Sequence, residues 1–549
     1  MRRTIAILVC VFSIAAFAQQ PAVPAAALQS VDGQRIRAHV KFLSSDLLEG
    51  RGTGQRGADL AAEYLATIFA LEGLQPGGDN GAYFQKFPMV GIAGEPASTI
   101  AVEGPSGTTA LKFGDDVVAG DNSQATLSDL DAPVVFVGYG ITAPEYKWDD
   151  FKGADLKGKV LLMFVNEPVS EDEKFFNGKS LTYYGRWTYK YEEAARRGAA
   201  GVLLIHKTDM ASYGWDVVKS SWSGEHFALA GGHQPRLKLA GWLQLEVARK
   251  LLAACGKDFD ALFKDAQSRD FQPIALPLRV KAHLVSKVRQ VAASNVVGIV
   301  PGAGPKLKDQ AVIYSAHYDH LGIHAGMSGD NIYNGAVDNA TGCGVLLEMA
   351  RVVARSAVKP RRAMVFAAVA AEEQGLLGSE FLAQHPPVPA GAIALALNFD
   401  SFVPYGIPEQ IRAGGAQRTT FYPVLEQTAR EFHFELMRGR PDPGGGYYRS
   451  DHFSFAHTGV PAFSLGQGSI FRGHTEEWTK EQDKQRGNTY HQPSDEFRQD
   501  WDFSGLAELA RFGVSLGWKA ADQPQLVEWQ KGDEFEAARL KSQAAGQGK

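Results

Sequence analysis

Apolar runs alternate with amphipathic stretches over the second half of the chain, from about residue 290 to residue 520. Short apolar runs predict buried strands at 296–300, 311–315, 363–369, 393–398 and 462–465. Apolar residues at helical spacing predict helices at 341–355, 376–384, 422–431 and 506–516. This alternation is typical of an α/β fold, in which helices cover both faces of a buried sheet.

The first half of the chain follows a different pattern. Helical spacing predicts two helices between residues 33 and 74, joined by the Gly-rich loop 49–54. This loop lacks the Lys-Ser/Thr pair that follows a phosphate-binding loop. Residues 76–125 are predicted to form short strands and turns. From about residue 130 to residue 285 the pattern changes to strands at 132–141, 158–165 and 202–205 with a helix at 190–197, and no cluster of ligand-type residues occurs. We therefore expect a separate module inserted into the α/β domain.

Both ends of the chain carry distinct signals. Arg2 and Arg3 precede the apolar run 4–17, and Ala16-Phe17-Ala18 has the small-x-small form of a cleavage site. We expect a signal peptide at 1–18 rather than an anchor helix, because a bilayer span needs roughly 20 apolar residues. The mature protein would then be exported, either periplasmic or secreted, with no stable membrane insertion. Composition predicts a flexible linker at 19–30 and a polar tail at 521–549.

The charge composition argues against a nucleic-acid partner. The 549 residues include 56 basic and 61 acidic side chains, so no polybasic footprint indicates a nucleic-acid partner. The hydrophobic fraction of 45% fits a globular protein with an extensive core. Composition does not define an oligomeric state.

Metal-type side chains follow several of the predicted strands. His317 follows strand 311–315, Glu372 and Glu373 follow strand 363–369, and Asp400 follows strand 393–398. Asp338 precedes a helix, and His491 lies further downstream. Functional groups gather at the carboxyl ends of strands in open α/β sheets. Two His, two Asp and a Glu-Glu pair suit two hydrolytic zinc ions and one proton-transferring carboxylate, so we expect a hydrolase.

The motifs around these residues resemble those of the M28 family of zinc-dependent aminopeptidases and carboxypeptidases. The resemblance covers about 30–120 and 290–520. The motifs that carry it are His-Tyr-Asp-His-Leu-Gly at 317–322, Tyr-Asn-Gly-Ala-Val-Asp-Asn-Ala-Thr-Gly at 333–342, Ala-Glu-Glu-Gln-Gly-Leu-Leu-Gly-Ser at 371–379, Asn-Phe-Asp at 398–400, Arg-Ser-Asp-His at 449–452 and Tyr-His-Gln-Pro-Ser-Asp at 490–495.

The resemblance implies two Zn²⁺ per chain and a role for each ligand. Asp338 would bridge the two ions. His317 and Asp400 would complete the protein ligands of one ion, and Glu373 and His491 those of the other. Glu372 would be the general base, close to a metal-bound water without itself binding metal.

The resemblance also implies supporting roles for residues near the ligands, and for one of these roles several residues are candidates. Asp319, two residues beyond His317, is expected to accept the second imidazole N–H, and Asp451 to have a similar structural role. Tyr447 matches a tyrosine that stabilises the oxyanion in some relatives, with Tyr448 and His452 as rivals. The additional imidazoles near the motifs are expected not to bind metal; they are His320, His324 and His474.

The inserted block resembles a protease-associated (PA) domain through Gly-Tyr-Gly-Ile at 138–141, Gly-Lys-Val-Leu at 158–161 and Gly-Ala-Ala-Gly at 198–201. The expected organisation is an N-terminal part of the peptidase domain at 31–125, a mainly β PA insert at 126–288 and a catalytic core at 289–520. The expected fold is a central mixed β-sheet flanked by helices.

The leading hypothesis is an exported dinuclear zinc aminopeptidase acting on peptide substrates. The resemblance leaves three alternatives open. One is an M28-type carboxypeptidase acting on dipeptides or acidic peptides, for which Arg438, Arg440, Arg449 and Arg472 could hold a free carboxylate. Another is a non-catalytic binding ectodomain, and the last is a single-zinc acyltransferase of the glutaminyl-cyclase type.

Overall fold

The computed structural model describes residues 23–231, 235–324, 326–439 and 441–547. The expected signal peptide at 1–18 lies outside the described residues.

The strands, in chain order, are β1 Gln75–Pro76, β2 Phe84–Gly94, β3 Thr99–Gly104, β4 Gly107–Leu111, β5 Val117–Gly120, β6 Leu127–Phe136, β7 Thr142–Ala143, β8 Trp148–Asp149, β9 Val160–Phe164, β10 Gly201–Ile205, β11 Glu225–Leu229, β12 Leu239–Leu243, β13 Ile274–Val300, β14 Ala311–His317, β15 Gly322–Ile323, β16 Ile332–Tyr333, β17 Ala363–Val369, β18 Ile393–Phe399, β19 Gln410–Gly414, β20 Glu435–Leu436 and β21 Ala462–Gln467.

The α-helices are α1 Ala25–Gln29, α2 Gly33–Leu43, α3 Arg56–Leu71, α4 Trp187–Arg196, α5 Thr208–Ala211, α6 Trp215–Ser221, α7 Leu245–Ala254, α8 Phe259–Asp265, α9 Thr341–Arg355, α10 Leu377–Gln384, α11 Tyr422–Glu431, α12 His452–His457, α13 Glu476–Thr489, α14 Ser504–Asp522 and α15 Glu536–Gln547. None of the helices that the structure describes combines the length and apolar character that a bilayer crossing needs.

The first sheet has a parallel centre. Strands β17, β14, β18 and β21 lie side by side and parallel, and every residue of β14, β17 and β18 is buried. Strand β13 pairs antiparallel with β17 at one side, and β19 pairs antiparallel with β21 at the other. Burial on both faces explains why these strands are continuous apolar runs rather than alternating patterns. The predicted mixed α/β sheet flanked by helices is confirmed.

A second sheet forms between residues 99 and 285. Its strand order is β4-β3-β13-β6-β9-β10-β12-β5, in which β6, β9, β10 and β12 are parallel neighbours. The long strand β13 belongs to both sheets: its residues 274–285 pair with β6, and its residues 286–300 pair with β2 and β17. A continuous strand therefore joins the two sheets.

Three predicted boundaries differ from the structure. Strands β3, β4 and β5 lie before residue 126, yet they belong to the second sheet. Strand β3 pairs with the residues of β13 that also pair with β6. The linker predicted at 19–30 includes helix α1, which packs on α9 and α14 and buries Ala27. The polar tail predicted at 521–549 buries Val527, Trp529 and Phe535, so it is part of the core.

Candidate metal centre

The predicted ligands converge at the carboxyl edge of the parallel strands. His317 ends β14, Glu373 follows β17 and Asp400 follows β18, so their places in the sheet bring them to one edge. Asp338 lies in the segment Ala336–Ala340 that leads into α9, and its own backbone angles are not helical. His491 follows α13 and completes the cluster.

The cluster consists of two groups that share Asp338. Within each group, one ligand-type atom of every member lies within 4.8 Å of the others; the groups are His317, Asp338 and Asp400, and His320, Asp338, Glu373 and His491. The His317 Nε2 atom lies 3.2 Å from Asp338 Oδ1 and 3.3 Å from Asp400 Oδ1. The His491 Nε2 atom lies 3.2 Å from Asp338 Oδ2 and 3.3 Å from Glu373 Oε2. The two oxygens of Asp338 thus serve different groups.

The donor set fits two zinc ions. Imidazole nitrogen and carboxylate oxygen are common protein ligands of zinc. The Nε2 atom of His491 is buried and has no hydrogen-bond partner among the described residues, although it faces two carboxylates. Burial lowers the pKa of His491, but the neighbouring carboxylates of Asp338 and Glu373 outweigh this effect and raise the pKa to about 10. The two carboxylates thus favour a positive charge between them.

Glu372 differs electrostatically from its neighbour Glu373. Burial raises the pKa of Glu372 well above its usual value; the charges of Asp451 and Glu373 add to this effect, and His317 opposes it. Burial also raises the pKa of Glu373, but the hydrogen bond with His320 and the nearby His491 ring reverse the balance and bring it to about 2. Adjacent carboxylates therefore have different proton affinities.

The carboxylate of Asp319 accepts hydrogen bonds from the backbone of Glu372 and Glu373 rather than from the ring of His317. Its Oδ1 accepts the backbone N–H of Glu372 at 3.1 Å, and its Oδ2 accepts that of Glu373 at 3.3 Å. The Nδ1 atom of His317 lies 3.7 Å from the Asp319 carboxylate but 3.2 Å from the Asp319 carbonyl oxygen. The predicted carboxylate–imidazole hydrogen bond is wrong, because the backbone carbonyl occupies that place.

Asp451 is fully buried behind the site. Neither of its carboxylate oxygens has a hydrogen-bond partner among the described residues. Burial raises its pKa to about 7, and its charge contributes to the raised pKa of Glu372. Its influence on the site is therefore electrostatic, and the structural role predicted by analogy with Asp319 has no hydrogen bond to support it.

The hydroxyl of Tyr447 is engaged by a backbone carbonyl. It donates to the carbonyl oxygen of Ala462 at 3.0 Å, and its single proton is therefore committed. The Tyr448 hydroxyl donates to Glu534 at 2.7 Å. Both ring nitrogens of His452 are buried without a hydrogen-bond partner among the described residues. The oxyanion role of Tyr447 stays a prediction; in this geometry its proton is taken by a backbone carbonyl, whereas His452 keeps an uncommitted donor.

His320 contacts a predicted ligand, although the sequence placed it outside the metal set. Its Nδ1 atom lies 2.7 Å from Glu373 Oε1, and its Nε2 atom is buried with no partner among the described residues. The ring therefore positions the Glu373 carboxylate from the side opposite His491. The motif contained His320, but spacing alone could not separate it from an ordinary buried histidine.

Arg51 and Asp495 hold the loops that carry the ligands. The buried Arg51 guanidinium donates to the carbonyl oxygens of Tyr318 at 2.7 Å, Asn334 at 2.6 Å and Gly335 at 2.9 Å. Asp495 accepts the backbone N–H groups of Val337 at 3.0 Å and of Asp338 at 3.1 Å. Sequence reasoning missed both roles, because these residues hold backbone and only the fold shows which backbone they reach.

A cleft of about 910 Å³ opens beside Asp400. Strand β19, the segment 436–450 and residues of β21 form most of its wall. Asn177, Ser180 and Leu181 from the inserted block also line it. The block is tied to this wall, since the Leu181 N–H donates to the Asp442 carbonyl at 2.9 Å and the Asp442 N–H donates to Ser180 Oγ at 3.0 Å.

Known proteins match the part of the chain that carries this site. Residues 295–512 match the family described as Peptidase family M28. Leupeptin-inactivating enzyme 1 of Streptomyces exfoliatus is 27% identical over 183 residues, which are 32% of this chain and 36% of that protein. Aminopeptidase NAALADL1 of Rattus norvegicus is 38% identical over 104 residues, which are 18% of this chain and 12% of that protein. The matched segments thus span only a minor part of these curated relatives.

A solved structure shares the fold. The aminopeptidase from Aneurinibacillus sp. strain AM-1 aligns with a TM-score of 0.50 and 19% sequence identity. The alignment covers 91% of this chain and 96% of that chain.

Proposed function

We propose that this chain, whose residues 295–512 match peptidase family M28, is an exported dinuclear zinc exopeptidase that acts as an aminopeptidase. The observation that carries the proposal is the sharing of Asp338 by two ligand groups. Glu372 lies beside these groups in the sequence and is a carboxylate with a raised pKa. Export is inferred from the signal-peptide pattern at 1–18.

We assign the roles of the site residues from their contacts. His317, Asp338 and Asp400 would hold one zinc ion, and Asp338, Glu373 and His491 the other. Bound there, zinc would lower the pKa of a water molecule and polarise the scissile carbonyl. Glu372 accepts the proton of the attacking water and delivers it to the leaving amine nitrogen as the C–N bond breaks. Asp319 fixes the backbone of Glu372 and thereby the position of this base.

Two isosteric variants test the proposal. Glu372→Gln should retain two zinc ions per chain and lose at least ~10²-fold in kcat, the scale of a lost general base. Asp338→Asn should lose zinc, because one bridging oxygen is replaced by an amide. Metal content by mass spectrometry and hydrolysis of leucine p-nitroanilide are the two measurements. Near-wild-type turnover of Glu372→Gln, or two zinc ions in Asp338→Asn, would contradict these roles.

The same assay separates the alternatives. An aminopeptidase hydrolyses amino-acid p-nitroanilides, whereas a carboxypeptidase hydrolyses N-blocked dipeptides. Hydrolysis of only the blocked substrates would replace the aminopeptidase by the carboxypeptidase. Folded protein that binds no zinc would favour a non-catalytic binding domain, and one zinc per chain with turnover of glutaminyl peptides would favour the acyltransferase.

We also infer that the inserted block is a PA domain that limits access to the cleft. Asn177, Ser180 and Leu181 line the cleft wall, which supports this role. Larger side chains in this segment should impair hydrolysis of long peptides more than hydrolysis of amino-acid p-nitroanilides. The variant Ser180→Trp, assayed on both substrate classes, tests this expectation.

A further inference from the structure

Consecutive backbone N–H groups of the segment 180–183 donate to three different parts of the chain. The donors and acceptors are Leu181 with the Asp442 carbonyl oxygen at 2.9 Å, Thr182 with the Glu167 carboxylate at 2.8 Å, and Tyr183 with the Glu534 carboxylate at 2.9 Å. Asp442 belongs to the cleft wall, Glu167 to the inserted block and Glu534 to the C-terminal region. Acceptors outside the segment therefore determine where this part of the cleft lies.

Glu534 also reaches the cleft wall of the α/β domain. Its Oε2 accepts the Tyr183 N–H, and its Oε1 accepts the Tyr448 hydroxyl at 2.7 Å. Arg418 Nη2 donates to the same Oε1 at 2.7 Å, and both Arg418 and Tyr448 line the cleft. The Glu534 side chain is only 7% exposed, so water competes little for these contacts. One buried carboxylate thus joins the inserted block to two residues of the cleft.

Arg418 balances the charge of Glu534 and of its neighbour Asp533. Its Nε atom lies 2.7 Å from Asp533 Oδ2. Burial raises the pKa of the Glu534 carboxyl, and the charge of Arg418 opposes this effect. An ionised carboxylate only accepts hydrogen bonds, and two oxygens suffice for the three donors around Glu534. Among the described residues, Asp533 forms no side-chain hydrogen bond with the inserted block.

Aromatic rings surround these contacts. The ring of Tyr183 lies 5.9 Å from that of Tyr448 and 4.9 Å from that of Phe453. The ring of Phe535, next to Glu534, lies 5.3 Å from that of Trp529. Because this packing does not depend on the carboxylate, loss of the Glu534 charge should loosen the segment 180–183 without separating the inserted block from the α/β domain.

We propose that Glu534 is a positioning residue that fixes the segment 180–183 in the cleft and thereby restricts which peptides reach the metal centre. This inference rests on the proposed peptidase function. Glu534 would act through Ser180 and Leu181, which line the cleft. A segment held by fewer hydrogen bonds opens locally at lower cost. Peptides that extend along the cleft should therefore gain access, whereas a substrate with a single amino acid should be unaffected.

Substrates of two sizes test this role. Glu534→Gln keeps the size of the side chain but removes its charge and one acceptor oxygen. The ratio of kcat/KM for a long peptide with an N-terminal leucine to that for leucine p-nitroanilide should rise by about fivefold, the scale of one hydrogen bond. Most of the change should be a lower KM for the long peptide. An unchanged ratio, or an equal change on both substrates, would overturn the proposal.

Two further variants control for charge and for folding. Asp533→Asn removes an adjacent partner of Arg418 but no contact with the inserted block, so its ratio should equal that of wild type. A ratio raised as much as in Glu534→Gln would show that charge balance, not position, is responsible. Ser180→Ala removes the acceptor of the Asp442 N–H at a half-buried position and should raise the ratio. If Glu534→Gln does not fold, a wild-type ratio in Ser180→Ala overturns the proposal.

Hydrogen–deuterium exchange separates this inference from the proposed function, because it requires no hydrolysis. The Tyr183 N–H should exchange about fivefold faster in Glu534→Gln than in wild type or in Asp533→Asn. Helix α9 should exchange equally in all three proteins. Faster exchange at Tyr183 in a protein that hydrolyses no peptide would support the positioning role and refute only the peptidase. Unchanged exchange at Tyr183 would overturn the positioning role while hydrolysis of leucine p-nitroanilide still supports the peptidase.

Discussion

The carboxylate of Asp319 accepts the backbone N–H of Glu372 at 3.1 Å and thereby fixes the residue proposed as the base. Its second oxygen accepts the N–H of Glu373 at 3.3 Å and the hydroxyl of Thr53 at 3.2 Å. One buried carboxylate therefore orients both the base and a metal ligand. An asparagine would keep one acceptor oxygen and turn an amide N–H₂ toward a backbone N–H.

The variant Asp319→Asn should accordingly lose about 10- to 100-fold in kcat/KM, the usual effect of losing a group that orients metal ligands. Most of the loss should be in kcat, because the substrate cleft is untouched. The control Thr53→Val removes only the hydroxyl contact and should remain close to wild type. Steady-state kinetics with metal analysis measures both variants, and wild-type kinetics in Asp319→Asn would refute the positioning role.

His320 should affect metal affinity at the position shared by Glu373 and His491. The variant His320→Leu removes the hydrogen bond to Glu373 and should weaken binding of the second zinc by about 10- to 100-fold. His320→Asn, which places an amide nitrogen near the position of Nδ1, should recover part of that affinity. Zinc titration calorimetry gives the two affinities separately; equal zinc binding by His320→Leu and wild type would show that the ring is not needed.

Arg51 should matter for stability more than any exposed arginine nearby. Replacement by methionine leaves the buried carbonyls of Tyr318, Asn334 and Gly335 without their donor, and each unsatisfied carbonyl should lower the free energy of unfolding by about 1–3 kcal/mol. The control Arg56→Gln removes an exposed ion pair with Glu49 and should cost less than ~1 kcal/mol. Urea denaturation measures both, and a similar small loss in the two variants would contradict the role of Arg51.

Tyr447→Phe should leave catalysis nearly intact. Its hydroxyl donates to Ala462, so the variant should lose about 1 kcal/mol of unfolding free energy, the typical contribution of a hydrogen bond. A lost oxyanion donor would instead reduce kcat by about 10²- to 10³-fold. The comparison with His452→Phe, which removes an uncommitted donor, identifies the group. A large fall in kcat for Tyr447→Phe alone would restore the tyrosine to the oxyanion role.

His39 should make the stability of the protein depend on pH below 6.5. Burial lowers its pKa from the ordinary 6.5 to about 4, so between these values the unfolded chain binds a proton that the folded protein does not. Stability therefore falls as the pH falls, by about 1.4 kcal/mol per pH unit from this group. His39→Asn should reduce this slope in metal-free protein.

The hydrogen bond between His39 and Tyr64, at 2.8 Å, supplies a matched control. Tyr64→Phe removes the bond but retains the imidazole, so it should destabilise the protein and keep the wild-type slope. Urea denaturation at pH 7 and pH 5 measures all three proteins. Equal slopes in wild type and His39→Asn would show that this histidine is protonated in the folded state.

Hydrophobic periodicity predicted the helices and strands whose apolar residues are buried in the core. The predicted helices 341–355 and 422–431 match α9 and α11, and the predicted strand 363–369 matches β17. The periodicity did not predict the sheet to which a strand belongs, because pairing with distant strands decides that. Strands β3 to β5 read like their N-terminal neighbours, and only their pairing assigns them to the second sheet: β3 pairs with β13, β4 with β3 and β5 with β12.

By itself, the sequence determined the α/β class and the ligand types, because strand ends in a parallel sheet converge and because His, Asp and Glu occur at those ends. Only the tertiary structure decided which other residues hold these ligands and their loops in place. Asp319 reaches backbone rather than an imidazole, Tyr447 faces Ala462, and Arg51 spans loops far apart in sequence. Such contacts depend on side-chain direction and on which distant backbone lies within hydrogen-bond range, and residue spacing encodes neither.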